Sequence, residues 1–305
     1  MHTMARISSA APLLGAALAA ALMVTATIGF QAGAGARAGV AVDGLDAAPG
    51  VETRPVTARL GAMPRDDGSA PAETLAEADR PSARPQARLA VIIDDIADVQ
   101  TAERLWSLGV PITLAVLPYA DAAPEVAARA RAAGREVFVH LPMEPVGLED
   151  PGPNALTKAL APRDFRARLS WAFRRVPGAA GFNNHMGSRL TADRAAMAQL
   201  FANLADRSGD LIFVDSLTHS RSVAGEAAEA AGFRVLRRSV FLDHHRSPNA
   251  IDAQLDAALD EARARGEAIA IGHPYPMTLD ALATLQARAA AAGVELTTVS
   301  ALAAD

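Results

Sequence analysis

All seven histidines of this 305-residue chain except His2 fall in its last two thirds, and most sit where a short apolar run gives way to polar sequence. Asp94 and Asp95 close the run LAVII at 89–93, His140 lies at the end of EVFVHL at 136–141, and His185 follows AAGFN at 179–183 by two residues. Asp215 ends LIFVD at 211–215, Asp243 follows FRVL at 233–236, and His273 ends AIAIGH at 268–273. Imidazoles and carboxylates in this arrangement suit two chemistries: holding a divalent metal through N and O donors, and moving protons near neutral pH. Cysteine is absent, which removes thiolate metal sites and disulfide frameworks alike.

Each cluster also has a simpler reading. Adjacent carboxylates at 94 and 95 point to opposite sides of a strand, so one can bind a metal while the other takes a proton; an acidic pair there can equally cap the next helix. His140 and Glu144 are four residues apart, but Pro142 between them argues against a regular helix, so a turn must bring the two together if both face a site. Asn183-Asn184-His185-Met186-Gly187-Ser188 concentrates polar groups in a loop that could also be an ordinary turn. Gly272-His273-Pro274-Tyr275-Pro276 holds a titratable group between two prolines, a rigid setting suited to proton transfer. His219, His244 and His245 are flanked by Ser or Arg and read as surface residues.

These positions must be carried by alternating elements. Further β-type runs appear at 112–117 (ITLAVL) and 295–299 (ELTTV), and Ala-rich helical stretches at 122–133, 192–207, 250–265 and 279–292 separate the strands. Gly134, Gly232, Gly266 and Gly293 follow helical stretches, as expected after a helix C-terminus. Alternation of this kind predicts parallel strands joined by right-handed crossovers. The expected fold is α/β: a (β/α) barrel of seven or eight strands, closed or incomplete, in preference to an open doubly wound sheet. In either architecture the strand ends above meet on one rim.

The remainder of the chain reads differently. No charged residue occurs from Ile7 to Ala36, and Ala36-Arg37-Ala38 offers a small-x-small cleavage pattern, so residues 1–38 are expected to be a signal peptide or a membrane anchor. Residues 39–87 are rich in Ala, Pro, Gly and charge with few large apolar side chains, the composition of a disordered linker. Residues 88–305 form the expected domain, exported to the periplasm or cell envelope. A net charge of −5 supplies no broad basic field for nucleic acid. The Arg-rich stretch 163–175 is interleaved with Asp164, Phe165, Leu169 and Phe173, which reads as a solvated helix face.

In order, the segments AVIIDDI, PITLAVLPYA, REVFVHLPMEP, GFNNHMGSRLT, LIFVDSLTHSRSVA, VFLDHHRS and AIAIGHPYPMTL, from about residue 89 to about 301, resemble the divergent polysaccharide deacetylase family. The resemblance implies a barrel-like fold and a divalent metal, usually zinc, held by one Asp and two His. It implies Asp94 as general base, Asp95 and His140 as metal ligands, and His273 as general acid. Glu144 stands where the wider superfamily has its second histidine; His185 is the expected replacement ligand, with Glu144 as an alternative or an outer-shell partner. Asp215 is expected to orient a neighbouring side chain, and Asn183 or Asn184 to help stabilise an oxyanion. Ala97, Ser239 and His244 depart from the family pattern, and the wider superfamily's Arg-Pro-aromatic motif is missing. The implied reaction is hydrolysis of a non-peptide carbon–nitrogen bond, removing N-acetyl groups from an envelope polysaccharide or oligosaccharide. A non-catalytic glycan-binding protein on the same fold, and a metal-dependent esterase or amidase, are the competing readings. Membrane contact is expected only through an uncleaved N-terminal segment, and the oligomeric state is left open.

Overall fold

Nine strands, every ladder parallel, and the helices between them account for residues 86–304, the part of the chain that the computed structural model describes. The expected export segment, and all of the expected linker up to residue 85, lie outside the described residues. Among the described residues no helix is long and apolar enough to cross a membrane.

In chain order come β1 (Ala87–Ile96), α1 (Val99–Trp106), β2 (Ile112–Val116), α2 (Ala123–Ala132), β3 (Val137–Met143), α3 (Pro162–Arg175), β4 (Gly181–Met186) and α4 (Arg194–Ala202). They continue as β5 (Ile212–Asp215), α5 (Ala224–Ala230), β6 (Arg234–Arg237), β7 (Val240–Phe241), α6 (Pro248–Arg265), β8 (Glu267–Gly272), α7 (Pro276–Leu282), α8 (Leu285–Ala292), β9 (Val294–Thr297) and α9 (Val299–Leu302). The eight expected strands are present. The two-residue β7 was too short to leave a pattern, and the single helix expected over 279–292 is two. The break falls at Thr284, whose hydroxyl donates to the Ala281 carbonyl and competes with helical continuation.

The hydrogen-bonded order is β6-β5-β4-β3-β2-β1-β8-β7, with β9 beside β1. Strands β6 and β7 stand at opposite ends of that order, yet only Arg238 and Ser239 separate them. Three Cα steps reach about 10 Å, so the two edges must come round to within that distance. The sheet is therefore curled into a barrel that is open at one seam. The seam residues tie both edges: Arg238 N–H donates to Asp215 of β5 and Ser239 N–H to Ile269 of β8.

Period-2 alternation sorts the side chains. Ala90, Ile92, Ala115, Phe138, Ile212, Val214, Ile269 and Ile271 meet inside the barrel with Val299 and Leu302 of α9, which closes one end. Both carboxylate oxygens of Glu136 hold that helix, accepting from Val299 and Ser300 N–H at 3.0 Å each. The alternate residues, such as Leu89, Val91, Ile93, Val139 and Phe213, pack outward against the helices. Fully burying side chains of this size contributes about 1.5–3 kcal/mol each, so the two faces of each strand are strongly specified.

Candidate active site

The same alternation decides which polar residues can enter the open end of the barrel. Counting up from the inward residues, Ile92 leads to Asp94, Phe138 to His140, Val214 to Ser216, Phe241 to Asp243 and Ile271 to His273. On β4 the inward positions are Gly181, Asn183 and His185. Gly181 is required there, because a Cβ would press into the Ile212 carbonyl oxygen and lie 2.7 Å from the Phe138 ring. The β3–β4 register sets His140 opposite Asn183, and Pro142 opposite His185. Both histidines thus lie inside regular strands rather than at their ends. Pro142 is tolerated because its carbonyl accepts from Leu156, on the side away from β4, so its missing N–H leaves the β3–β4 ladder intact.

Asp95 should point outward, and a local irregularity turns it in. The β1–β2 register slips between Ile93 and Ile96, and Asp95 adopts φ 58°. A left-handed non-glycine residue costs about 1–3 kcal/mol. Met186 and Leu217 share that conformation and also line the cavity. The alternative role of the acidic pair, capping α1, is taken by Asp98, whose carboxylate accepts from Thr101 N–H at 2.7 Å.

Three atoms converge here. Asp95 Oδ1 lies 3.0 Å from His185 Nδ1 and 3.3 Å from His140 Nε2, and the two nitrogens are 3.0 Å apart. Tetrahedral ligands at 2.0–2.1 Å from zinc stand about 3.3 Å from one another, so this triangle matches one face of such a tetrahedron. Asp95 Oδ1 is buried with no hydrogen-bond partner. The hydrogen-bond network assigns the His140 tautomer. Asn183 Nδ2 donates to Asp94 Oδ1 at 2.8 Å, turning its own Oδ1 to accept from His140 Nδ1 at 2.9 Å, which leaves the Nε2 lone pair facing the cluster. Two imidazoles and one carboxylate without thiolate form a donor set suited to zinc or a neighbouring transition metal.

The proton-carrying groups flank this triangle. Burial raises the Asp94 carboxyl above its ordinary value, against the opposing pull of His140, Asn183 and His273. Burial pushes Asp95 the same way, but the close approach of the His140 and His185 imidazoles holds it far below the usual carboxylate range. Burial and the neighbouring His140 lower His185 despite Asp95. For His273, burial works against the charged form, but Asp243 and the charges of Asp94 and Asp95 outweigh it and raise the imidazole above its ordinary value. Asp243 Oδ1 accepts from His273 Nδ1 at 2.9 Å, while its Oδ2 accepts the His273 backbone N–H at 2.6 Å and the Thr278 hydroxyl at 3.0 Å. His273 Nε2 is left facing the cluster, 3.7 Å from Asp95 Oδ2.

Asp94, Asp95, His140, His185 and His273 thus meet in one cavity of about 550 Å³. Four other expected residues do different work. Glu144 follows the end of β3 and faces away, accepting from Lys158 N–H and pairing with Arg189 at 3.3 Å; it stays clear of the triangle. Asp215 has outward parity on β5, and its carboxylate holds the following loop through Leu217 N–H and the Ser222 hydroxyl. The amides of Asn183 and Asn184 are already committed, so neither has a free donor for an oxyanion. Asn183 Nδ2 serves Asp94 and Ser216, while Asn184 Nδ2 serves the Met186 carbonyl and Thr218. Sequence reasoning gave Asp243 no role; its place after a short strand, thirty residues before His273, was the only signal. Arg238, Arg246 and Tyr275 also line the cavity, as does exposed His244.

A family model described as divergent polysaccharide deacetylase matches residues 91–303. The chain is 35% identical over 196 residues to the uncharacterized protein YibQ of Escherichia coli (strain K12), covering 64% of this chain and 61% of YibQ. It is 36% identical over 201 residues to an uncharacterized protein of Haemophilus influenzae, covering 65% and 70% respectively. The match therefore spans less than two thirds of the length of YibQ. The crystal structure of uncharacterized protein ATU2773 from Agrobacterium tumefaciens C58 superposes with a TM-score of 0.67 at 23% identity, over 72% of this chain and 91% of that one, a likeness of fold.

Proposed function

The chain belongs to the divergent polysaccharide deacetylase family, and from that premise we propose that it is a metal-dependent hydrolase of the cell envelope that removes N-acetyl groups from an amino sugar in a polysaccharide or oligosaccharide. The observation that carries this reading is the triangle of Asp95 Oδ1, His140 Nε2 and His185 Nδ1 around a buried, unpartnered carboxylate oxygen. The apolar N-terminal run supports export to the periplasm or envelope.

A divalent ion held by these three residues, zinc by donor type, would polarise the acyl carbonyl and lower the pKa of water from about 15.7 toward about 7. Asp94 takes the proton of the attacking water. Its Oδ1 is fixed by Asn183, and burial makes the carboxylate more basic than an exposed one. His273 carries a proton on Nε2, facing the cluster, and passes it to the nitrogen as the C–N bond breaks, releasing a free amine and acetate. Asp243 positions the ring through Nδ1 and stabilises its charged form. A base and an acid side by side at the ends of β1 and β8, next to the triangle, are more than a glycan-binding protein requires, which favours hydrolysis over passive binding.

The test is metal analysis of the purified protein, followed by acetate release from N-acetylated oligosaccharides. Near-stoichiometric zinc with acetate release is expected. Stoichiometric metal without turnover on any N-acetylated or ester substrate would shift the reading to a binding protein.

A further inference from the structure

Building on the hydrolase reading, we infer that the sugar substrate carries an anionic group, a carboxylate or a phosphate, gripped by Arg238 and Arg246. Both arginines line the cavity on the side formed by β6, β7 and β8. Arg238 is held as part of the wall: Nε donates to the Ser216 carbonyl at 2.7 Å, Nη2 to the Leu217 carbonyl at 3.2 Å, and the guanidinium lies 5.0 Å from the centre of the Phe241 ring. Arg246 stacks 4.1 Å from the centre of the Tyr275 ring and donates to its hydroxyl. Among the described residues neither guanidinium has a carboxylate within ion-pair distance, and Arg238 Nη1 makes no hydrogen bond. Some arginines of the domain do find carboxylates, as Arg129, Arg237 and Arg288 show; what sets Arg238 and Arg246 apart is that they line the cavity of the reaction centre.

Two fixed cations beside a reaction centre, without counter-ions, form a ready site for an anion, because their planar forks match carboxylate and phosphate oxygens. The rest of the lining points the same way. Its carboxylates are Asp94 and Asp95, both engaged at the centre, and the amide of Asn184 is spent on the Met186 carbonyl and Thr218. With a divalent ion in place the cavity is net positive within a chain of net charge −5, which draws an anionic substrate to this mouth in particular.

The test uses the zinc-loaded full chain and calorimetric binding of three probes: N,N′-diacetylchitobiose, a disaccharide of N-acetylglucosamine and glucuronic acid, and N-acetylglucosamine 6-phosphate. At least one anionic probe should bind about tenfold or more tightly than the neutral one, with the advantage shrinking at high salt. Tighter binding of the uronate alone assigns a carboxylate; tighter binding of the phosphate alone assigns a phosphate. Arg238→Gln and Arg246→Gln should each cut the discrimination several-fold, and Arg238→Lys should keep part of it. Arg163→Gln, at an exposed position of α3 outside the cavity, should keep all of it. Because Arg246 is exposed, its substitution tests the idea even if Arg238→Gln disturbs the loop it holds. Equal affinity for neutral and anionic probes, or discrimination that survives both Gln substitutions, overturns the inference. Arginine-dependent anion binding without acetate release would sustain it and remove the hydrolase reading instead.

Discussion

His140 and His185 stand on neighbouring parallel strands two positions out of register, and still bring Nε2 and Nδ1 to 3.0 Å from each other. Both point into the barrel, and their rings meet edge to face with centroids 4.8 Å apart. The bulge at the end of β1 swings Asp95 Oδ1 onto the same two nitrogens. None of the three is placed by its neighbours in sequence.

Removing a corner of this triangle should remove the metal. Asp95→Ala and His185→Ala are each expected to abolish stoichiometric zinc binding in metal analysis of the folded protein. Glu144→Ala, which touches Lys158 and Arg189 instead, should keep it. Full metal retention in both of the first two variants would dismantle the site described above.

Asp243→Asn should leave zinc content near wild type and lower kcat by about 100–1,000-fold, within the range that positioned acid–base groups contribute. The pH profile adds a sharper sign. His273 acts while protonated, so activity falls as pH rises through its pKa. Losing the Asp243 charge lowers that pKa, and the alkaline limb should move to lower pH. An unmoved limb would separate Asp243 from the acid.

Stability of the metal-free protein offers an independent reading of the same pair. The folded-state pKa of His273 is raised above its unfolded value. Its contribution is therefore fully present below about pH 6.5 and is lost as pH rises through the folded-state value. Denaturant unfolding in chelator should show the largest gap between wild type and His273→Gln near pH 5.5, shrinking toward pH 8.5. A gap that widens with pH would contradict the sign.

Gly181→Ala should destabilise the domain by about 2–4 kcal/mol, since the added methyl meets backbone and the Phe138 ring with no room to yield. It should also weaken metal binding by displacing β4, which carries His185. Gly209→Ala, where a Cβ meets nothing within 4 Å, is the matched control. Equal melting temperatures for the two variants would show that β4 can shift freely.

Much of this architecture is local in origin, which is why it was legible along the chain. Apolar alternation marked eight strands, glycines such as Gly266 and Gly293 marked helix ends with left-handed backbone, and the reactive side chains lie beside the apolar runs. Asp95, His140 and His185 could be singled out because residue type and position beside an apolar run are properties of short segments, although both histidines prove to lie within their strands. Their meeting could not. Asp215 looks equivalent to Asp94 on paper, but parity on β5 sends it outward to a loop, and only strand register reveals that. Glu144 was drawn in by spacing and turned away once β3 ended at Met143.

The sequence by itself determined a parallel α/β domain, its strands and the residue types able to hold a metal and move protons, because side-chain period and helix-end chemistry act over a few residues. Only the tertiary structure decided that β6 and β7 close the sheet around a seam, that Asp95 turns inward at a bulge, that Asp243 holds His273, and that two arginines stand beside the centre without carboxylate partners among the described residues. Each of those depends on hydrogen-bond register and packing between segments far apart in the chain, where the energy lies in contacts that no local pattern encodes.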